Sequence, residues 1–278
     1  MKKNTKKIVT AAGIAAGTAA VASLYAYVTI KALIDTALDR EMPKVMEKAD
    51  KRISGEKSSD EFTNRMESAS ESLAVQPNET VEIIAHDGEK LVGHYFPCEK
   101  PERVIIAFHG WRSSWHRDFG MISDFWYKNN CSVLYVEQRG QNNSSGEYMG
   151  FGLTERFDCL DWLNWEIERC GSDIPVYLAG VSMGATTVLM AAGLQLPPNV
   201  HGIMADCGFT SANAIWEHIA KDNLHIRFGI RSAIADRMCR RKIQVGSKEH
   251  STVEALKHTH VPVILVHGAD DHFVPVEM

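Results

Sequence analysis

Five short apolar runs, each bounded by turn residues and separated by longer helix-prone stretches, dominate the chain. They are 103–108 (Arg-Val-Ile-Ile-Ala-Phe), 131–136, 176–179, 200–205 and 261–266. Continuous apolar character without alternation is expected of strands buried on both faces. Strand followed by helix, repeated, predicts an α/β domain with a mostly parallel sheet flanked by helices. Ahead of these runs, Val81–His86 and Leu91–Phe96 flank Asp87-Gly88 and predict an antiparallel hairpin. Helices are expected over about 117–129, 153–169 and 183–194. The segment from about Gly208 to His258 is long, polar and helix-prone, and it interrupts the alternation. A connection of that length requires structure of its own, so a small helical lid is expected there.

The amino terminus differs in kind. Lys2, Lys3, Lys6 and Lys7 precede an uncharged run from Ile8 to Ile30, closed by Lys31. As a helix this run is about 35 Å long, enough to cross the hydrocarbon core. A signal anchor, with the lysines in the cytoplasm and the domain outside, competes with a cleaved signal peptide ending near Ala20-Val21-Ala22. The apolar stretch continues past that site to Ile30, which favours the anchor. The resulting division is a basic segment and transmembrane helix over 1–34, a charged helical stalk or linker over 35–79, and the α/β domain over 80–278.

Composition removes other classes. A net charge of −5 leaves no basic footprint for nucleic acid. The six cysteines are scattered without C-x-x-C spacing, which predicts unpaired thiols rather than a disulfide scaffold or zinc site. No H-E-x-x-H or comparable ligand spacing appears, so neither a metal nor a cofactor is expected.

The chemistry concentrates in Gly180-Val181-Ser182-Met183-Gly184, which follows the apolar run 176–179 and opens an Ala-rich helix. This strand–turn–helix setting is the one a nucleophile elbow requires. The two glycines permit close packing, Ser182 is lifted off the sheet, and the Met183 N–H is placed to donate to a developing oxyanion. His109-Gly110-Trp111 ends the 103–108 run, making the Trp111 N–H the second candidate donor and His109 a structural residue of the loop.

Four motifs occur in order: strand-His109-Gly110-Trp111, Gln138-Arg139-Gly140, Gly180-x-Ser182-x-Gly184, and Gly268-x-x-Asp271-x-x-Val274-Pro275. In this order and spacing the chain resembles the α/β-hydrolase family across roughly residues 80–278. It is most similar to bacterial membrane-anchored hydrolases related to the serine aminopeptidase and cinnamoyl-esterase-like branches. The resemblance implies Ser182 as nucleophile and Asp271 as triad acid, with Asp206 the second candidate acid. It also implies an acyl-enzyme route on a small ester, amide or short peptide.

Two departures stand out. Glu137-Gln138-Arg139-Gly140-Gln141-Asn142-Asn143-Ser144 replaces the usual Asp-x-Arg-Gly-x-Gly-x-Ser, with Asn142 expected to tolerate the positive φ of the missing glycine. The family's catalytic histidine, which follows a further helix and an eighth strand, has no counterpart before Met278. His272 adjoins Asp271 too closely to bridge it to a serine, and the family uses the positions of His109 and His267 structurally. The chain is therefore expected to lack the last strand and histidine loop, which would leave the 261–266 run on an open edge. Without an identified base, a non-catalytic binding domain is the competing reading. A metal-dependent enzyme ranks below both.

Overall fold

In the computed structural model, which describes residues 2–42, 61–223, 225–229 and 231–278, seven strands form one sheet. The strands are β1 (Glu79–Ile84), β2 (Lys90–Phe96), β3 (Arg103–Phe108), β4 (Cys131–Glu137), β5 (Val176–Val181), β6 (Val200–Asp206) and β7 (Val263–Val266), in the order β1-β2-β4-β3-β5-β6-β7. The β1–β2 hairpin closes at Gly88, φ 93°, and β2 pairs antiparallel to β4. All remaining pairings are parallel. Every residue of β4 is buried, which explains why its sequence carries no polar alternation.

Helices cover the faces: α1 (Lys2–Leu38), α2 (Glu61–Ala74), α3 (Trp115–Lys128), α4 (Glu155–Cys170), α5 (Met183–Ala191), α6 (Ala212–His218), α7 (Arg231–Ile243) and α8 (Thr252–Leu256). One apolar core joins the sheet to α4 and α5 through Leu134, Trp162, Leu178 and Val188. A second, on the opposite face, stacks Trp115, Phe119 and Trp126 of α3 around Tyr135 of β4. The Cα of Gly120 lies so close to α2 that an added Cβ would sit 2.7 Å from Ala69 C. The charged segment expected as a stalk thus includes a helix lying on the domain. Residues 43–60 of that segment lie outside the described residues.

The third core is the lid. Phe209, Ile215 and Trp216 from the α6 region, Phe228, and Ala235, Met238 and Cys239 of α7 pack together. They do not close the core alone. Ile30, Leu33, Ile34, Ala37 and Leu38 of α1 are buried among them. The segment Ala20–Leu38 is long and apolar enough to cross a membrane. However, α1 runs unbroken past residue 34, and its last nine residues dock on the lid while Val21, Leu24, Tyr25 and Val28 stay exposed.

At the far edge β7 has four residues against the seven of β6, the strand it pairs with. Ile264, Leu265 and Val266 are 62%, 64% and 54% exposed.

Candidate active site

Parallel strands present their carboxyl ends on one rim, and β3, β5, β6 and β7 deliver the candidate residues there. Ser182 follows directly on β5 with φ 52° and ψ −113°, a left-handed conformation for a non-glycine residue. Such backbone persists only where the surroundings over-determine it. Its N–H donates to Asp206 O (2.8 Å), its carbonyl accepts from Thr186 N (3.0 Å), and α5 behind it is buried throughout. The flanking glycines make the turn possible. A Cβ on Gly180 would lie 2.3 Å from Gly184 O, and one on Gly184 would lie 1.9 Å from Phe108 O.

The loop after β3 abuts this turn. A Cβ on Gly110 would lie 3.5 Å from Ser182 Cβ. Asp118, in the first turn of α3, accepts from Gly110 N (2.6 Å) and from Ser113 Oγ (2.6 Å). Arg112, itself at φ 50°, donates its N–H to Gln141 Oε1 (2.6 Å). Among the described residues, the N–H groups of Trp111 and Met183 meet no backbone acceptor outside the helices and strands.

His109 is fully buried beneath this loop. Its Nδ1 bonds Gly110 O (2.8 Å), while Nε2 accepts from Gln138 N (3.2 Å) and faces Asn142 Nδ2 (3.2 Å). Burial holds its pKa below the ordinary histidine value, although the Gly110 carbonyl and the acids Asp118 and Glu137 pull the other way. Both of its ring nitrogens are hydrogen-bonded within the loop. Gln138 extends the brace, donating to His109 O and accepting from Thr187 Oγ1 of α5 (2.9 Å). Asn142 takes φ 49° and Gly140 φ 69°, so the altered motif keeps its tight turn.

Asp271 lies in the loop after β7. Its Oδ1 accepts from Phe273 N and Val274 N (both 2.9 Å), which folds the loop back on itself. His267 Nε2 meets Val274 O at 2.6 Å and secures the same loop. Asp206, at the end of β6, contributes its carbonyl to Ser182. Its carboxyl has a raised pKa, chiefly through burial and also through Asp271, against the lowering effect of His267. The candidate acid and the alternative acid therefore share one electrostatic neighbourhood at the strand ends. His272 lends its carbonyl to His218 Nε2 (3.0 Å). No described histidine ring is hydrogen-bonded to Ser182 Oγ.

Asp118 and Arg112 were not singled out in the sequence, and Gln138 and Gln141 stood there only within a motif, because their partners are groups that only the folded loops bring near. Among the described residues, His86, Asp158 and Asp161 bring metal-ligand atoms within 4.8 Å. They are already committed: Asp158 to Arg139 Nε (2.6 Å) and His86 Nδ1 to Asp161 (2.8 Å). A groove of about 650 Å³ between α2 and α3 contains none of the rim residues.

No sequence-family profile matches the chain. The uncharacterized protein YqkD of Bacillus subtilis (strain 168) is 23% identical over 188 residues, 66% of this chain and 59% of that protein. The chain thus matches less than two thirds of that relative's length. Among solved structures, the Pyrococcus furiosus esterase Pf2001 superposes with a TM-score of 0.58 at 20% identity, covering 74% of this chain and 75% of that one. The α/β hydrolase GrgF of Penicillium sp. sh18 gives 0.52 at 17% identity over 73% and 83%. A Pyrococcus horikoshii acylaminoacyl peptidase gives 0.52 at 16% identity over 74% of this chain but 34% of its own. At these identities the likeness establishes the fold.

Proposed function

We propose that this chain, which has the α/β-hydrolase fold, is a serine hydrolase that cleaves an ester, amide or short-peptide bond through an acyl-enzyme on Ser182. The observation that carries the reading is the left-handed backbone of Ser182 between two glycines that tolerate no side chain. Strain of this kind at the carboxyl end of a central parallel strand serves no packing purpose, and it lifts a hydroxyl clear of the sheet. Ser182 Oγ attacks the carbonyl carbon as its proton passes to solvent, and the Trp111 and Met183 N–H groups receive the oxyanion. The leaving group departs, and water then cleaves the acyl-enzyme. The dipole of α5 favours the negative charge. Asp271 is the acid of this scheme, oriented by its two backbone donors. No described histidine is assigned as the base.

The structural neighbours, an esterase and an acylaminoacyl peptidase among them, agree with carbonyl chemistry and do not choose between ester and amide. The substrate is a small molecule or short peptide. The apolar part of α1 anchors the domain in the cell membrane as a single pass, with the catalytic domain on the extracytoplasmic side. A cleaved signal segment is the alternative for this helix.

The alternative reading is a ligand-binding domain that keeps the fold without turnover. Hydrolysis of short-chain p-nitrophenyl esters and aminoacyl p-nitroanilides by the chain and by Ser182→Ala separates the two. The enzyme reading expects release of p-nitrophenol or p-nitroaniline that Ser182→Ala abolishes. Equal rates for the two proteins would overturn it.

A further inference from the structure

A helix leaves its last carbonyls without partners inside the helix, and they carry the negative end of its dipole. At the end of α1 these carbonyls are taken by the loop proposed above to form the oxyanion site. Trp111 Nε1 donates to Ala37 O (2.9 Å). The Arg112 guanidinium donates to Thr36 O (3.1 Å), Asp39 O (2.5 Å) and Arg40 O (2.9 Å). The chain after α1 then binds the other wall of the site. Arg40 donates to Asn142 O and Ser144 O (both 2.6 Å), Asp39 bridges to Tyr148, and Met149 N donates to Leu38 O (2.7 Å). On the lid side Lys242 of α7 pairs with Asp39 and with Asp35 (3.1 Å).

Three separate parts of the rim therefore meet at the last turn of α1: the β3 loop, the β4 loop and the lid. We propose that Arg112 is a positioning residue that clamps the oxyanion loop to the carboxyl end of α1. The N-terminal helix is then a working part of the active site as well as its tether. The proposal rests on the serine-hydrolase reading for its catalytic meaning. A cation capping a helix end would be structural if it sat elsewhere. Arg112, however, is the residue after the candidate oxyanion donor, in the left-handed region, with its own N–H held by Gln141. Gly110 is fixed from the opposite side by Asp118. The Trp111 N–H lies between these two restraints, so the helix end, through Arg112, helps set its direction. Displacing such a donor by about 1 Å costs on the order of a hundredfold in rate.

The test uses the full chain in detergent, with Arg112→Ala, Arg112→Lys and Trp111→Phe. The last retains the backbone N–H and removes only the indole donor. Two readouts are taken. One is amide hydrogen exchange over 36–42, 110–113 and 138–149. The other is the kinetics of Ser182 phosphonylation by a fluorophosphonate, in which the Oγ–P bond forms as P–F breaks and the serine proton passes to solvent. Arg112→Ala is expected to speed exchange in 36–42 and 110–113 together. It should lower the limiting labelling rate at least tenfold while the half-saturating probe concentration changes less than twofold. Arg112→Lys should recover part of that rate, and Trp111→Phe should lose less than Arg112→Ala. Should Arg112→Ala not fold, the other two variants carry the comparison. A wild-type limiting rate in these variants, or faster exchange in 36–42 with 110–113 unchanged, would overturn the clamp. If the unaltered chain is not labelled at Ser182, the serine-hydrolase reading fails instead, and with it the catalytic meaning of the clamp.

Discussion

Gly184→Ala isolates the packing that makes the Ser182 turn possible. In an ordinary helix the change is favourable by about 1 kcal/mol, since alanine is the better helix former. Here the new Cβ would lie 1.9 Å from Phe108 O, 2.5 Å from Phe108 C and 2.7 Å from His109 O. All three are backbone atoms, so no rotamer change relieves the overlap. Real Cβ contacts essentially never fall under 3.0 Å, and α5 must therefore move about 1 Å away from β3. Overpacking a rigid interior costs about 1–3 kcal/mol and more where backbone is the obstacle. The clash thus outweighs the propensity gain, and a net loss of about 2 kcal/mol is expected in urea unfolding. The same movement separates Met183 from the His109–Trp111 loop, so phosphonylation of Ser182 should slow by about a hundredfold. Gly88→Ala is the control. It meets no atom within 4 Å but keeps φ 93°, so it should lose about 1–2 kcal/mol of stability with no change in labelling. A Gly184→Ala protein with unchanged midpoint and labelling rate would refute the reasoning.

Other substitutions report on neighbouring groups. Burial pushes the Glu166 carboxyl up to about 6, only partly offset by the Cys170 thiol and Arg169. Its folded pKa exceeds its unfolded value, so stability is full below about pH 4.5 and declines as pH rises through about 6. Glu166→Gln should remove roughly 2 kcal/mol of that decline at pH 8, and an unchanged stability–pH curve would contradict the assignment. His109→Ala should lower stability by about 1–3 kcal/mol, because it leaves the Gln138 N–H unpaired, yet keep the shape of the labelling–pH profile. Loss of a titration near neutral pH would make His109 the base after all. Asp271→Asn retains an Oδ1 acceptor for Phe273 and Val274. It should therefore keep the melting temperature while lowering ester turnover by about 10²–10⁴-fold, and an undiminished kcat would move the acid to Asp206. Protease added to intact cells should degrade the catalytic domain, and full protection would reverse the membrane orientation.

The strands and the elbow were legible because their physics is local. Continuous apolar runs predicted β3 to β7, and a Gly-x-Ser-x-Gly after one of them located the turn. The hairpin register was legible only within two residues, since β1 begins at Glu79 rather than Val81 and turn geometry sets the pairing. What the sequence hid was cooperation between distant segments. Asp118 reads as an ordinary acid in a helix's first turn, and only the fold sets its carboxylate against Gly110 N. The carboxyl end of α1 reads as the edge of an apolar span, because Ile30, Ile34 and Leu38 suit lipid and the lid core equally well. Arg40 and Arg112 belong to no motif, and their carbonyl partners lie up to 106 residues away.

The central claim is that Ser182 is a nucleophile, and it is tested most directly by exposing the full chain to a fluorophosphonate and locating the adduct by peptide mass spectrometry. The expected result is a single phosphonyl group on Ser182, formed in proportion to protein and absent from Ser182→Ala. No adduct, or an adduct on another residue that persists in Ser182→Ala, would contradict the claim.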